Sequence, residues 1–231
     1  MAPSLPRLIN SETSNRSHHW QEKLTKLGNF LYIPSGLLVM LSWLLHPSPP
    51  FTPEIIASPV WILIHAGFLL SLLLGIFGLF ASLAIYLNQQ NCRLLGIFSC
   101  CLAVVGMFLI GGLDYSEVFI FPTIATEFPL VIEKYGAGNS MPSVAFAFPA
   151  AGLFTVIGFF LLSYELYRTK CISKGAGILT MIGTVIFGIG LSGFAPNIVT
   201  QVGATVFGLG LMWLGISSIK SQNSHDQIKI A

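Results

Sequence analysis

Six long apolar runs alternate with short polar interruptions along the 231 residues of the chain. The runs cover about 28–45, 59–86, 94–120, 144–167, 175–193 and 198–218. Each is long enough to cross a hydrocarbon core of about 30 Å as a helix. The interruptions carry helix-stopping and helix-starting residues. His46-Pro47-Ser48-Pro49-Pro50 ends the first run, because proline cannot continue a helix. Pro59 opens the second, at a position where a missing amide costs nothing. Asn88-Gln89-Gln90-Asn91-Cys92-Arg93 is a tight polar turn between the second and third runs. Residues 51–58 form a short loop, and Phe194-Ala195-Pro196-Asn197 breaks the fifth run from the sixth.

This pattern predicts an all-α polytopic membrane protein. The expected architecture is a six-transmembrane-helix bundle over 28–219, with a polar segment 1–27 before it and a polar, mobile tail 220–231 after it. The segment 1–27 has no apolar core and no cleavage site follows, so it does not read as a cleavable signal peptide. Pro149 is expected to bend the fourth span near its start. Residues 123–142 make the longest connection, and its apolar piece, 128–132, is expected on the membrane surface. Trp61 is expected at the lipid–water interface, where an indole is favoured.

Within the runs, small residues recur every four positions: Gly67, Ser71 and Gly75; Gly78 and Ser82; Thr200, Ala204 and Gly208. Such stripes let a neighbouring helix approach closely. Tyr86 to Gly96 and Tyr167 to Gly177 share one spacing across a polar turn, a hint that spans two–three and four–five are related hairpins.

Composition agrees with lipid as the solvent. The chain is 54% hydrophobic and 9% charged, with a mean hydropathy of +0.78, against about 25% charged residues in a soluble domain. The net charge of +2 says little; its placement says more. Ten of the eleven Lys and Arg residues lie in the N-terminal segment, the 88–93 turn, the 168–174 turn and the tail, and the other connections hold only Lys134. The positive-inside rule then gives an N-in/C-in topology, in a bacterial plasma membrane with both termini cytoplasmic. The four cysteines, at 92, 100, 101 and 171, form no Cys-x-x-Cys pair and read as free thiols.

Acids are biased the other way. Glu54, Asp114, Glu117, Glu127 and Glu133, five of nine, fall on the outer side. Asp114 and Glu117 are three apart and share a helix face. His65 lies 23 positions before Asn88, and Asp114 lies 21 after Arg93. In an antiparallel hairpin they meet at one depth, under the outer surface. An ionisable group in a span is costly and pairs or faces a cavity. The expected ligand-binding set is His65, Asp114 and Glu117, with Tyr115 beside the acids and Gln201 reaching in from span six. The occupant is a small ligand, a lipid headgroup or an ion.

Other chemistries compete for these residues. A structural latch between spans two and three needs no ligand. A metal site would use His65, Asp114, Glu117 and His46, although no paired-histidine motif supports it. A haem between His46 and His65 is disfavoured by their expected difference in depth. Gly190-Leu191-Ser192-Gly193 resembles the Gly-x-Ser-Gly of rhomboid intramembrane proteases. That family pairs its serine with a histidine from a later span, and span six here has none; His65 with Asp114 behind it is the partner left for Ser192. Quinone-linked thiol oxidoreductases would need a Cys-x-x-Cys pair, and b561-type cytochromes would need facing histidines.

The expectation is therefore a non-enzymatic membrane protein with a polar pocket in its outer leaflet. The alternative is a membrane-embedded hydrolase or metalloenzyme using His65, Asp114 and Glu117. No motif assigns a catalytic residue or implies a cofactor. Expected partners are membrane lipid and other membrane subunits or further copies of the chain, and no basic patch suggests nucleic acid.

Overall fold

The structure, a computed structural model, describes residues 5–136, 142–192 and 195–230. The described residues form nine helices and no strand. Six are long and apolar enough to cross a membrane. These are α1 (Leu5–Leu44), α3 (Pro59–Leu87), α4 (Leu94–Phe119), α7 (Pro142–Arg168), α8 (Lys174–Leu191) and α9 (Asn197–Ile230). Three short helices, α2 (Pro53–Ile56), α5 (Phe121–Glu127) and α6 (Pro129–Tyr135), lie in the connections.

Capping chemistry sets several boundaries. Ser58 Oγ accepts the Trp61 amide at the start of α3, with Pro59 next to the cap. Ser173 does the same for Ala176 at the start of α8. In both cases the hydroxyl satisfies an amide that has no helical partner.

The helices extend further than the apolar runs. α1 begins at Leu5, inside the polar 1–27 segment, and α9 continues through the tail to Ile230. Neither polar stretch has strong helix propensity, both being rich in Ser, Asn and His, but propagation from an adjoining packed helix is cheap where nucleation has been done. Pro149 lies inside α7, which carries on through it.

Each long helix packs mainly on two others, in the circular order α1, α3, α4, α7, α8, α9 and back to α1. The result is a closed ring of six. Its axis is filled by buried side chains from all six helices, including Tyr32, Phe68, Met107, Phe159, Phe187 and Phe207. The outward faces carry large apolar side chains such as Leu63, Phe77, Phe98, Phe108 and Ile182.

Glycines permit the tight contacts. A Cβ at Gly36 on α1 would strike the Gly208 carbonyl of α9, and one at Gly208 would strike that of Gly36. A Cβ at Gly106 on α4 would strike Thr155, and one at Gly158 on α7 would strike the Ala103 backbone. The expected stripes are used this way: Gly75 lies against Met107 and Ser35, and Gly78 against the Tyr32 ring. In both hairpins a glycine also abuts the tyrosine ten positions earlier, Gly96 on Tyr86 and Gly177 on Tyr167.

The two ends of the ring differ. At one end α2, α5 and α6 pack together around Ile56, Trp61, Phe121, Ala125 and Ile132. Of the apolar piece 128–132, Phe128 and Leu130 are exposed while Ile132 is buried in this cluster. Residues 137–141 of the same connection lie outside the described residues. Trp61 is 1% exposed, so it is not the interface residue its position suggested; the short helices cover it.

The opposite end holds a polar latch. The Tyr86 hydroxyl donates to Glu165 Oε2 at 2.7 Å and accepts the Arg93 amide at 2.6 Å. Arg168 donates from Nη2 to the same carboxylate oxygen at 2.6 Å and to the Asn91 carbonyl at 2.8 Å. The α3–α4 turn is thereby tied to the end of α7.

Candidate functional site

A cavity of about 660 Å³ lies at the capped end of the ring, and all six long helices contribute to its wall. The α1 end and its proline loop supply Trp43 and His46, α3 supplies Trp61 and His65, and α4 supplies Asp114 and Glu117. Pro149 of α7, Leu191 of α8, Ser192 just past α8 and Thr200 of α9 close the far side. A wall drawn from every member of the ring follows from the closed arrangement: the side chains fill the axis below, and the cavity occupies its mouth.

His65 and Asp114 meet here. Nδ1 of His65 lies 2.7 Å from Oδ1 of Asp114, and both residues are buried, at 8% and 4% exposure. Glu117, one helical turn beyond Asp114, is equally buried and faces the same space. The i, i+3 spacing on α4 puts both carboxylates on one wall.

Aromatic rings surround this acidic corner. Trp43 stacks on His46 with centroids 4.8 Å apart. His46 meets His65 edge to face at 5.2 Å, and Trp61 lies 4.4 Å from His65. Phe51 completes the group against Trp61 at 5.2 Å. His46 and His65 are therefore at one level, contrary to the expected difference in depth. The chain turns back after Leu44, and the Pro47 carbonyl holds His46 Nδ1 at 2.8 Å, which swings the ring onto α3. Edge-to-face contact leaves no slot for a porphyrin between the two imidazoles. Burial and the neighbouring His65 lower the His46 imidazole from 6.5 to about 4.

Among the residues that line this cavity, His65 Nε2, Asp114 Oδ2 and Trp43 Nε1 are buried with no hydrogen-bond partner, while the Trp61 indole and the Glu117 carboxyl lie beside one another without a well-formed hydrogen bond. Each such atom costs about 1–3 kcal/mol when left unsatisfied. Their gathering on one cavity marks a surface arranged for polar company.

Two expected members are elsewhere. Tyr115 is 51% exposed and packs on Phe119. Gln201 is half-buried and does not line the cavity; Thr200, one position before it, does. One residue along a helix rotates a side chain by about 100°, and that rotation separates them. Trp43, Phe51 and Thr200 were missed. The Trp61–His65 spacing of four was the signal in the sequence that these two share a face.

Among the described residues, no three His, Cys, Asp or Glu side chains converge in an arrangement that could hold a metal ion. Ser192 lines the cavity with His65 and Asp114, and its hydroxyl donates to the Ile189 carbonyl at 2.6 Å. His65 Nε2 has no partner, so the serine does not reach the imidazole. Gly193, the last residue of that four-residue resemblance, lies outside the described residues, as does Phe194.

No family model, curated protein or solved structure matches the chain.

Proposed function

We propose that this chain is an integral membrane protein with both termini in the cytoplasm, whose outer-leaflet cavity binds a small organic cation carrying an ammonium group. The membrane setting is supported by six apolar helices and an outward surface rich in exposed Leu, Ile and Phe. The orientation is supported by the ten-to-one division of Lys and Arg between the two sides.

The observation that carries the ligand class is the pairing of two buried carboxylates with a cluster of aromatic rings. Asp114 and Glu117 both line the cavity, and Asp114 Oδ2 has no hydrogen-bond partner. Trp43, Trp61 and Phe51 line the same cavity, and an aromatic ring attracts an ammonium over its face by about 0.5–2 kcal/mol. Asp114 and Glu117 set two carboxyl groups beside the single imidazole of His65 on this wall, and acceptor oxygens suit an ammonium group.

The protein is read as a binding protein, an accessory subunit or a simple carrier. Among the described residues, no charged pair lies in the middle of a span of the kind that couples transport to an ion. A rhomboid-like serine mechanism would need Ser192 at His65, whose Nε2 has no hydrogen-bond partner; a hydrolase or metalloenzyme using His65, Asp114 and Glu117 is the second reading.

Tetramethylammonium titrated into the purified protein tests the site. Saturable quenching of indole fluorescence is expected, lost in Asp114→Asn combined with Glu117→Gln. The absence of saturable binding to the wild-type protein would sink the proposal.

A further inference from the structure

A second cavity, of about 410 Å³, adjoins the first. It runs between α7 and α8 and shares Phe148, Pro149, Leu191 and Ser192 with the mouth cavity. Its remaining lining is apolar or glycine, and it holds no charged group. Leu153, Val185 and Ile189 line it and are also exposed on the outer face of the ring. The crevice therefore connects the polar mouth sideways to the surface that faces lipid.

Gly152 shows how the space is kept open. It is buried in α7 and lines the crevice, yet a Cβ built there would meet nothing within 4 Å. Most glycines in this fold are needed because a neighbouring helix presses on them; this one fronts a void. From Ser192 back to Val185 the crevice spans about 10 Å of helix, at 1.5 Å per residue. That is room for the first part of an alkyl chain.

We infer that the ligand is a membrane lipid with an ammonium headgroup, the headgroup seated among Trp43, Trp61, Asp114 and Glu117 and one acyl chain leaving through the crevice between α7 and α8. This inference rests on the proposed ammonium site and adds the chain and its route. A polar cavity that opens laterally through an apolar slot matches the two chemistries of a single amphiphile. A water-soluble cation would need no such exit. Lateral entry also suits a molecule that is already in the membrane and presents its headgroup at this depth.

The test uses the full chain in nanodiscs containing phosphatidylethanolamine with a photoactivatable diazirine in its acyl chain. Cross-links are mapped by mass spectrometry with and without excess tetramethylammonium. Bulk lipid labels every outward face and does not respond to the competitor, so the competed fraction is the informative one. The expected result is competed cross-linking at Leu153, Val185 or Ile189. Gly152→Leu, which fills the void, lowers that fraction by about tenfold, equivalent to about 1.4 kcal/mol of lost binding, and leaves tetramethylammonium binding unchanged. If tetramethylammonium binds but crevice cross-links are not competed, or the competed ones lie elsewhere, the lipid inference is overturned and the ammonium site stands. If tetramethylammonium does not bind the wild-type protein, both fall.

Discussion

His65 on α3 and Asp114 on α4 are 49 positions apart in sequence and 2.7 Å apart in space. The contact sets the chemistry of the cavity. With Nδ1 donating to the carboxylate, a neutral imidazole presents Nε2 as an acceptor, and a protonated one presents it as a donor. The second oxygen of Asp114 has no hydrogen-bond partner. The same pair also joins α3 to α4 at the end of the hairpin furthest from its turn.

The pair is expected to be energetically coupled. His65→Ala and Asp114→Ala each leave a buried partner unsatisfied and are expected to cost about 1–3 kcal/mol. The double variant is expected to cost less than the sum, because no orphan remains. Denaturant unfolding in detergent micelles gives the three values. Strict additivity would show that the contact contributes nothing.

The latch at the other end is expected to respond differently to its two ionic partners. Glu165 is fully buried, whereas the Arg168 side chain is 21% exposed. Arg168→Ala leaves a carboxylate with only the Tyr86 hydroxyl and is expected to be destabilising, moderated because water can approach from the helix end. Glu165→Gln keeps the volume and one acceptor, and is expected to be milder. Thermal unfolding of the two variants checks the order; equal losses would contradict it.

Glycines divide by what they face. Gly106→Val and Gly158→Val push a side chain into the backbone of the facing helix, with an expected cost of at least about 1–3 kcal/mol. Gly112 is exposed, and a Cβ there meets nothing. Gly112→Ala is expected to be neutral or to gain up to about 1 kcal/mol from helix propensity. Parallel melting curves distinguish the two classes.

Acid is expected to loosen the capped end. The His46 imidazole is held below its ordinary 6.5, at about 4. Between those values the unfolded chain binds a proton that the folded chain does not, so stability is full above pH 6.5 and falls as pH drops toward 4. Replacing His46 by Phe removes that proton and is expected to flatten the stability profile in this window, as read by unfolding at a series of pH values. An unchanged slope would assign the acid sensitivity to other groups.

Topology is open to direct labelling. Cys92 is exposed in the basic 88–93 turn, while Cys100 and Cys171 are buried. A membrane-impermeant maleimide is expected to label Cys92 in inside-out vesicles and not in intact cells. A cysteine placed at Glu54, in a cysteine-free background, is expected to show the reverse. Labelling of Cys92 from outside would invert the orientation.

Much of this arrangement was legible in the chain. Long apolar runs punctuated by proline and polar turns determine helices and their lengths, because a backbone without water must satisfy its own hydrogen bonds. Counting from the 88–93 turn places His65 opposite Asp114, since rise per residue is fixed. Depth along a helix is thus a property of sequence. Rotation about the helix axis and the order of neighbours are not, when a run is apolar on every side and no polar face marks which way is in. Packing between distant segments decided those: that six helices close into a ring, that Trp61 is buried under the short helices, that His46 folds back onto His65, that Thr200 rather than Gln201 faces the cavity, and that Gly152 fronts a void. Each depends on side chains from different helices fitting together, and no stretch read alone contains both sides of such a contact.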